Sequence, residues 1–379
     1  MTESLERGRL DALVATSLEN VAYVTGVGPL TELAPEKALG IFTRHGVALV
    51  VPVSHVFTLV AEPVDVDHIV CFGRADALTT DFASSPRAQF FASEPGVGPA
   101  TGLAAALERL GVHGGAVGLD ESGLPYDTWL RITDHMPDLK ITPAAARLEE
   151  ARRAKGPYEI ECLGHALRIA EEALDAVIQI LDRGMTERDA ADQFAVEVVR
   201  RRGWPRPPRV GIGERTGIAS PRPGDVALRP GNLVRFDVGC TYKGYCSSVG
   251  RTAVLGQPSP LQENAYGVVH ASLEAATAAV KAGATAGHVF DRVAATFRTN
   301  VLPRFEREHV GQGIGLSPRE RPELAPGNRT VLELGEVLHL EAAHIEISSM
   351  GVRATDTVLV TSTGARVLNR SHHGLIVLD

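Results

Sequence analysis

Short continuous apolar runs along the chain alternate with longer stretches whose apolar residues recur every three or four positions, and this fixes a first set of elements. Leu5 to Asp11 reads as a short amphipathic helix leading into the apolar strand Ala12-Leu13-Val14-Ala15. Ser17-Leu18-Glu19-Asn20 opens a second helix through Val24, closed by Gly26. Ala38–Phe42 and Val47–Val53, separated by Arg44-His45-Gly46, predict a hairpin. Pro99 to Leu110 is a helix stopped by Gly111, followed by the strand Ala116–Leu119. Strands and helices in alternation make the first 150 residues an α/β domain, a mixed sheet with flanking helices.

The charged stretch Leu148 to Pro157 predicts a hinge, because Gly156-Pro157 ends one helix and suits the first turn of the next. Tyr158 to Leu181 carries apolar residues at helical spacing, and Thr186 is the N-cap of a further helix. Helices around 261–282 and 286–299 then alternate with strands near 233–239, 243–249, 335–341 and 356–361. Thr241-Tyr242-Lys243-Gly244 is a turn signal joining the strands of Asp237 and Ser248. The second domain, 151–379, is therefore α+β.

Composition narrows the function classes. At 379 residues the chain is long enough for two cores. A net charge of -8 argues against non-specific binding to nucleic acid or acidic membranes. The first residues show no basic and apolar leader, and Arg44, His45 and His55 interrupt the most apolar early run, so a cytoplasmic protein without a membrane span is expected. Cys71, Cys162, Cys240 and Cys246 have no CxxC spacing and are expected as reduced thiols.

The candidate chemistry lies in the second domain: Phe236-Asp237-Val238-Gly239, Gly244 to Ser248, Arg251-Thr252, Gly311-Gln312-Gly313-Ile314-Gly315, Glu341, and Gly351-Val352-Arg353-Ala354-Thr355-Asp356. In order and spacing these resemble the signatures of the creatinase/prolidase/aminopeptidase P family, with its pita-bread C-terminal domain. Leu10 to Asn20 with Tyr23-Val24-Thr25-Gly26 is similar to that family's N-terminal domain, and Ala154 to Ile160 to its entry into the second. The resemblance places five metal ligands (two aspartates, a histidine and two glutamates) at positions that here read Asp237, Ser248, Gln312, Glu341 and Thr355. Two carboxylates, an amide and two hydroxyls do not make a tight dinuclear site, so no metal and no cofactor is expected. Creatinase, a metal-free member, uses a histidine acid/base; the matching position here, in the register set by Arg222-Pro223-Gly224-Asp225, is Ser220, and a second pocket histidine is matched by Arg319.

Without a cation between them, Asp237 and Glu341 would push one pKa upward and share a proton as an acid/base pair, assisted by Arg319 or Arg353. His309 and His344 are further acid/base candidates. Ser220, Ser248, Gln312, Arg319, Arg353 and Thr355 are expected to line the substrate pocket, Cys246 to be a buried small hydrophobe, and His372-His373 to be an exposed pair. These residues predict a metal-independent enzyme acting on a small polar metabolite, by C–N bond hydrolysis, elimination or rearrangement. A catalytically inactive binding module and a prolidase-like metallopeptidase are the alternatives. The resemblance also implies a homodimer.

Overall fold

The computed structural model describes residues 1–27, 38–55, 64–73, 91–93, 98–299, 307–371 and 374–379; His372 and His373 lie outside them. Two compact units divide the chain, Met1–Arg152 and Arg153–Asp379.

The first unit is built on β1 (Ala12–Ala15), β2 (Leu39–Thr43), β3 (Val47–Pro52), β4 (His68–Phe72), β5 (Phe91–Ser93), β6 (Gly115–Leu119) and β7 (Leu139–Pro143). Their spatial order is β5-β4-β3-β2-β1-β6-β7. β1 pairs antiparallel with β2 and parallel with β6. Every residue of β1 is buried, the burial expected of a strand covered on both faces and readable as an unbroken apolar run. Leu103, Ala106 and Leu107 of the helix Pro99–Arg109 pack with one face, and Val21 and Val24 of the helix Leu18–Thr25 with the other. Ser17 caps the latter helix and Gly26, at φ 68°, closes it. The first helix spans Thr2–Gly8 and not Leu5–Asp11, because Arg9 turns left-handed at φ 50° and caps it.

The second unit has two halves. In the first, β8 (Trp204–Pro205), β9 (Arg209–Ile212), β10 (Leu233–Val238), β11 (Cys240–Tyr242), β12 (Tyr245–Cys246) and β13 (Val249–Leu255) lie beneath the helices Pro157–Ile180 and Glu187–Arg200. In the second are β14 (Gly311–Gly313), β15 (Glu320–Glu323), β16 (Val337–Glu346), β17 (Met350–Val360) and β18 (Ala365–Val367), while β19 (Ile376–Leu378) returns to pair with β13. The sheet orders are β19-β13-β10-β9, β12-β11-β8 and β15-β14-β16-β17-β18. Phe194 and Val198 pack with Val234 and Phe236 in one half; Val269, Phe290 and Val293 pack with Leu338, Leu340 and Val352 in the other.

Two expectations about strands are corrected. The strand of Cys246 ends before Ser248, and the long partner of β10 begins at Val249, pairing Asp237 with Gly250. The turn at Lys243 (φ 49°) and Gly244 (φ 83°) closes a small separate sheet. The strand expected from 356 starts at Met350, so that Glu341 stands opposite Thr355 and Ala343 opposite Arg353.

Side chains stitch the two halves where β13 meets β17. Thr252 Oγ1 donates to Arg353 O (3.0 Å) and accepts from Arg353 N (2.9 Å). Gly250 N donates to Thr355 Oγ1 (2.7 Å), and Arg251 Nη1 donates to Thr355 O (2.7 Å). These bonds fix the backbone from which Arg353 projects. No helix among the described residues is long and apolar enough to cross a membrane.

Candidate active site

Asp237 near the end of β10, Glu341 in β16 and Arg353 in β17 meet at the floor of a cavity of about 890 Å³. Arg353 reaches across with its planar fork: Nη1 stands 3.1 Å from Asp237 Oδ2 and Nη2 stands 2.9 Å from Glu341 Oε2. Arg307 Nη2 donates to the same Glu341 oxygen at 3.0 Å, and Gln312 Nε2 donates to Oε1 at 3.4 Å. Two guanidinium groups therefore hold Glu341.

This geometry corrects the expected acid/base pair. A cation does lie between Asp237 and Glu341, supplied by the chain itself. Burial opposes ionisation of Glu341, but Arg353, His339, Arg307 and His309 outweigh it and hold the carboxyl well below the ordinary carboxylate range. Burial works against the charge on Arg353, and Asp237 and Glu341 raise its pKa nonetheless. Glu341 is thus held as an anion near neutral pH and does not share a proton with Asp237 there. Beneath the floor, Arg235 donates through Nη2 to the carbonyls of Ile218 and Ala219; burial first, then neighbouring Arg353, bring its pKa down to about 10.

Asp237, Glu341, His309, His344, Ser220, Ser248, Gln312, Arg319 and Arg353 all line the cavity. Thr355 does not: it is fully buried, with its hydroxyl occupied by Gly250 N. Cys246 is buried beside Cys162, Ile314 and Val337, with Sγ toward Leu316 O, away from the cavity. Arg319 is bound to Glu323 Oε1 at 3.0 Å and to His309 Nε2 at 3.1 Å, and so supports a histidine instead of the carboxylates.

That contact sets the tautomer of His309. A guanidinium can only donate, so Nε2 accepts and the ring proton sits on Nδ1, which is buried without a hydrogen-bond partner among the described residues. Burial, with Arg319 and Arg307 alongside, lowers the pKa of His309 against the pull of Glu341, leaving it neutral near pH 7. His344 is buried at the cavity wall, with Nε2 at 4.0 Å from Glu346 Oε2; burial lowers its pKa against Glu346. Sequence reading missed Arg307, whose approach to Glu341 spans a sequence separation of 34 residues, and His339, which reaches within 3.8 Å of Glu341 Oε1. His339 stands two positions before Glu341, a same-face spacing that was the available signal.

A halved α+β unit with its polar cavity among β9, β10, β14, β16 and β17, following an α/β unit, defines a protein of the creatinase/prolidase class. The chain belongs to metallopeptidase family M24: residues 161–362 match that family, and residues 1–154 match the creatinase/prolidase N-terminal domain. It is 28% identical over 322 residues to the uncharacterized peptidase YqhT of Bacillus subtilis (strain 168), across 82% of this chain and 89% of that protein. The probable dipeptidase PepE of Mycobacterium tuberculosis (strain H37Rv) is 31% identical over 270 residues, 68% of this chain and 71% of its own. The crystal structure of an X-Pro aminopeptidase from Thermotoga maritima MSB8 superposes with a TM-score of 0.82 at 20% identity, over 99% of this chain and 98% of that one.

The metal ions implied by the family name do not fit the residues present. Guanidinium N–H groups address the carboxylate oxygens of Asp237 and Glu341 that a cation would need, and Thr355 Oγ1 is engaged elsewhere. Among the described residues no group of three or more His, Cys, Asp or Glu side chains is arranged to hold an ion.

Proposed function

We propose that this M24 protein is a metal-independent enzyme whose cavity binds a small polar metabolite and cleaves or rearranges it at a C–N bond. The bridge from Arg353 to Asp237 and Glu341 carries this reading. A fixed guanidinium on the cavity floor supplies positive charge without a divalent ion, in a partly desolvated setting where charge is least screened. Arg353 and Arg307 orient and stabilise negative charge developing on the substrate. His309, held by Arg319 through Nε2, lines the cavity as a neutral imidazole and positions the substrate beside the arginines. Asp237 and Glu341 keep Arg353 positioned and accept hydrogen bonds from substrate N–H groups.

The test uses chelator-treated full-length protein, first in thermal-shift screening against amidino, ureido and amide metabolites and then in turnover assays of those that stabilise it. Turnover insensitive to chelator and lowered by His309→Asn is the expected result. Cleavage of X-Pro dipeptides that needs added Mn²⁺ would replace this reading with that of the family's named peptidases. Stabilisation by a ligand without turnover would leave a binding module.

A further inference from the structure

We infer that Arg206 and Arg209 form an anion subsite at the cavity wall, so that the ligand is a small molecule bearing a carboxylate or phosphate group. This rests on reading the cavity as a substrate site. The segment is Trp204-Pro205-Arg206-Pro207-Pro208-Arg209, in which three prolines fix φ and hold the residues before them extended. A polyproline-type extended chain repeats every three residues, so side chains three apart share a side. Both arginines line the cavity. Arg209 sits directly opposite Asp237 in the pairing of β9 with β10, which puts it on the same sheet face as the floor carboxylate.

The partners of the cavity's charges set this pair apart. Glu341 is taken by Arg353 and Arg307, Asp237 by Arg353, and Arg319 by Glu323. Arg206 donates through Nη1 to Ser247 O (3.0 Å), which positions its fork, and has no carboxylate partner among the described residues. The Arg209 side chain makes no hydrogen bond or ion pair with the described residues, its backbone alone pairing with β10. Two guanidinium groups without a carboxylate partner, on a backbone already stiffened by proline, need little ordering to close on a planar or tetrahedral anion.

Calorimetric titration of the chelator-treated full chain tests the subsite with succinate, glycerol 3-phosphate and neutral succinamide. Saturable binding of at least one anion and not of succinamide is expected, weakened roughly 10- to 100-fold in Arg209→Gln and in the Arg206→Gln/Arg209→Gln pair. Arg209→Lys, which keeps the charge and loses the fork, should fall between. Preference for succinate or for glycerol 3-phosphate identifies the group as carboxylate or phosphate. Binding of neither anion, equal binding of succinamide, or unchanged anion affinity in folded Arg209→Gln would overturn the subsite. Because the protein is metal-stripped throughout, a metal requirement for turnover defeats the proposed enzyme and leaves this result readable.

Discussion

A Cβ on Gly250 would stand 3.2 Å from both Cγ and Cδ of Arg353 and 2.7 Å from Cγ2 of Thr355. Gly250 lies in β13 directly opposite Asp237, so the missing side chain leaves the lane by which the Arg353 stem crosses from β17 to the carboxylate. The glycine acts through space alone and needs no unusual backbone angle.

Gly250→Ala should therefore strain the site without adding or removing a charge. Contacts this short force the stem or the strand aside, and overpacking of this kind costs about 1–3 kcal/mol. Urea denaturation should give that loss, and turnover should fall with it. A variant as stable and active as the parent would show that Arg353 does not depend on this lane.

Arg353→Met should be more damaging. It leaves Asp237 without its ion-pair partner and Glu341 with Arg307 as its one remaining guanidinium among the described residues, and breaking a buried ion pair by removing one member costs roughly 3–5 kcal/mol. Arg353→Lys keeps the charge, but one ammonium cannot span both carboxylates as the fork does, so it should recover only part of the stability. Equal unfolding midpoints for Lys and Arg would argue against the bridge.

Thr252→Val tests whether the backbone of Arg353 is held by a side chain. The lost hydroxyl leaves Arg353 N and O without that partner in a buried place, a penalty of roughly 1–3 kcal/mol. Denaturation should show it, whereas Thr252→Ser should stay near the parent.

Acid should weaken the fold in two windows. Burial, with Arg353 and Arg206 in support, brings the pKa of His339 down to about 4 against Glu341 and Asp237. An unfolded histidine titrates near about 6.5, so between those values the unfolded chain binds the extra proton and stability falls as pH falls. Glu341 is held below the ordinary carboxylate range, so its contribution is complete above about 4.3 and is lost as pH drops from there through its folded value. His339→Gln should make the upper window shallower, with His309 and His344 still contributing to it, while the lower window persists through Arg353 and Arg307. Denaturation midpoints taken from neutral to acid pH check this, and an unchanged slope would remove His339 from the account.

The sequence located the site better than it described the contacts within it. Asp237 and Glu341 were legible because the order and spacing of the motifs around them resemble the signatures of the creatinase/prolidase family, and most of the candidate lining residues do surround the cavity. The error lay in side-chain direction. Thr355 sits at an expected ligand place, yet the β13–β17 seam turns its hydroxyl to Gly250 N, a contact between residues 105 apart. Arg353 stands out as a candidate in sequence, but its span between two carboxylates depends on a rotamer and on Gly250, which no local pattern encodes. Strand limits slipped for a similar reason: the short sheet around Lys243 interrupts what reads as one long hairpin.

Metal binding by the purified, unmodified chain bears most directly on the claim that Arg353 takes the place of a divalent ion. Chelator-treated protein is titrated with Mn²⁺ and then with Co²⁺ in a calorimeter, and the metal retained after desalting is measured by mass spectrometry. The expected result is no stoichiometric uptake of either ion and no change in unfolding midpoint. Retention of one or two ions per chain, abolished by Asp237→Asn or Glu341→Gln, would mean that Arg353 yields its position to metal.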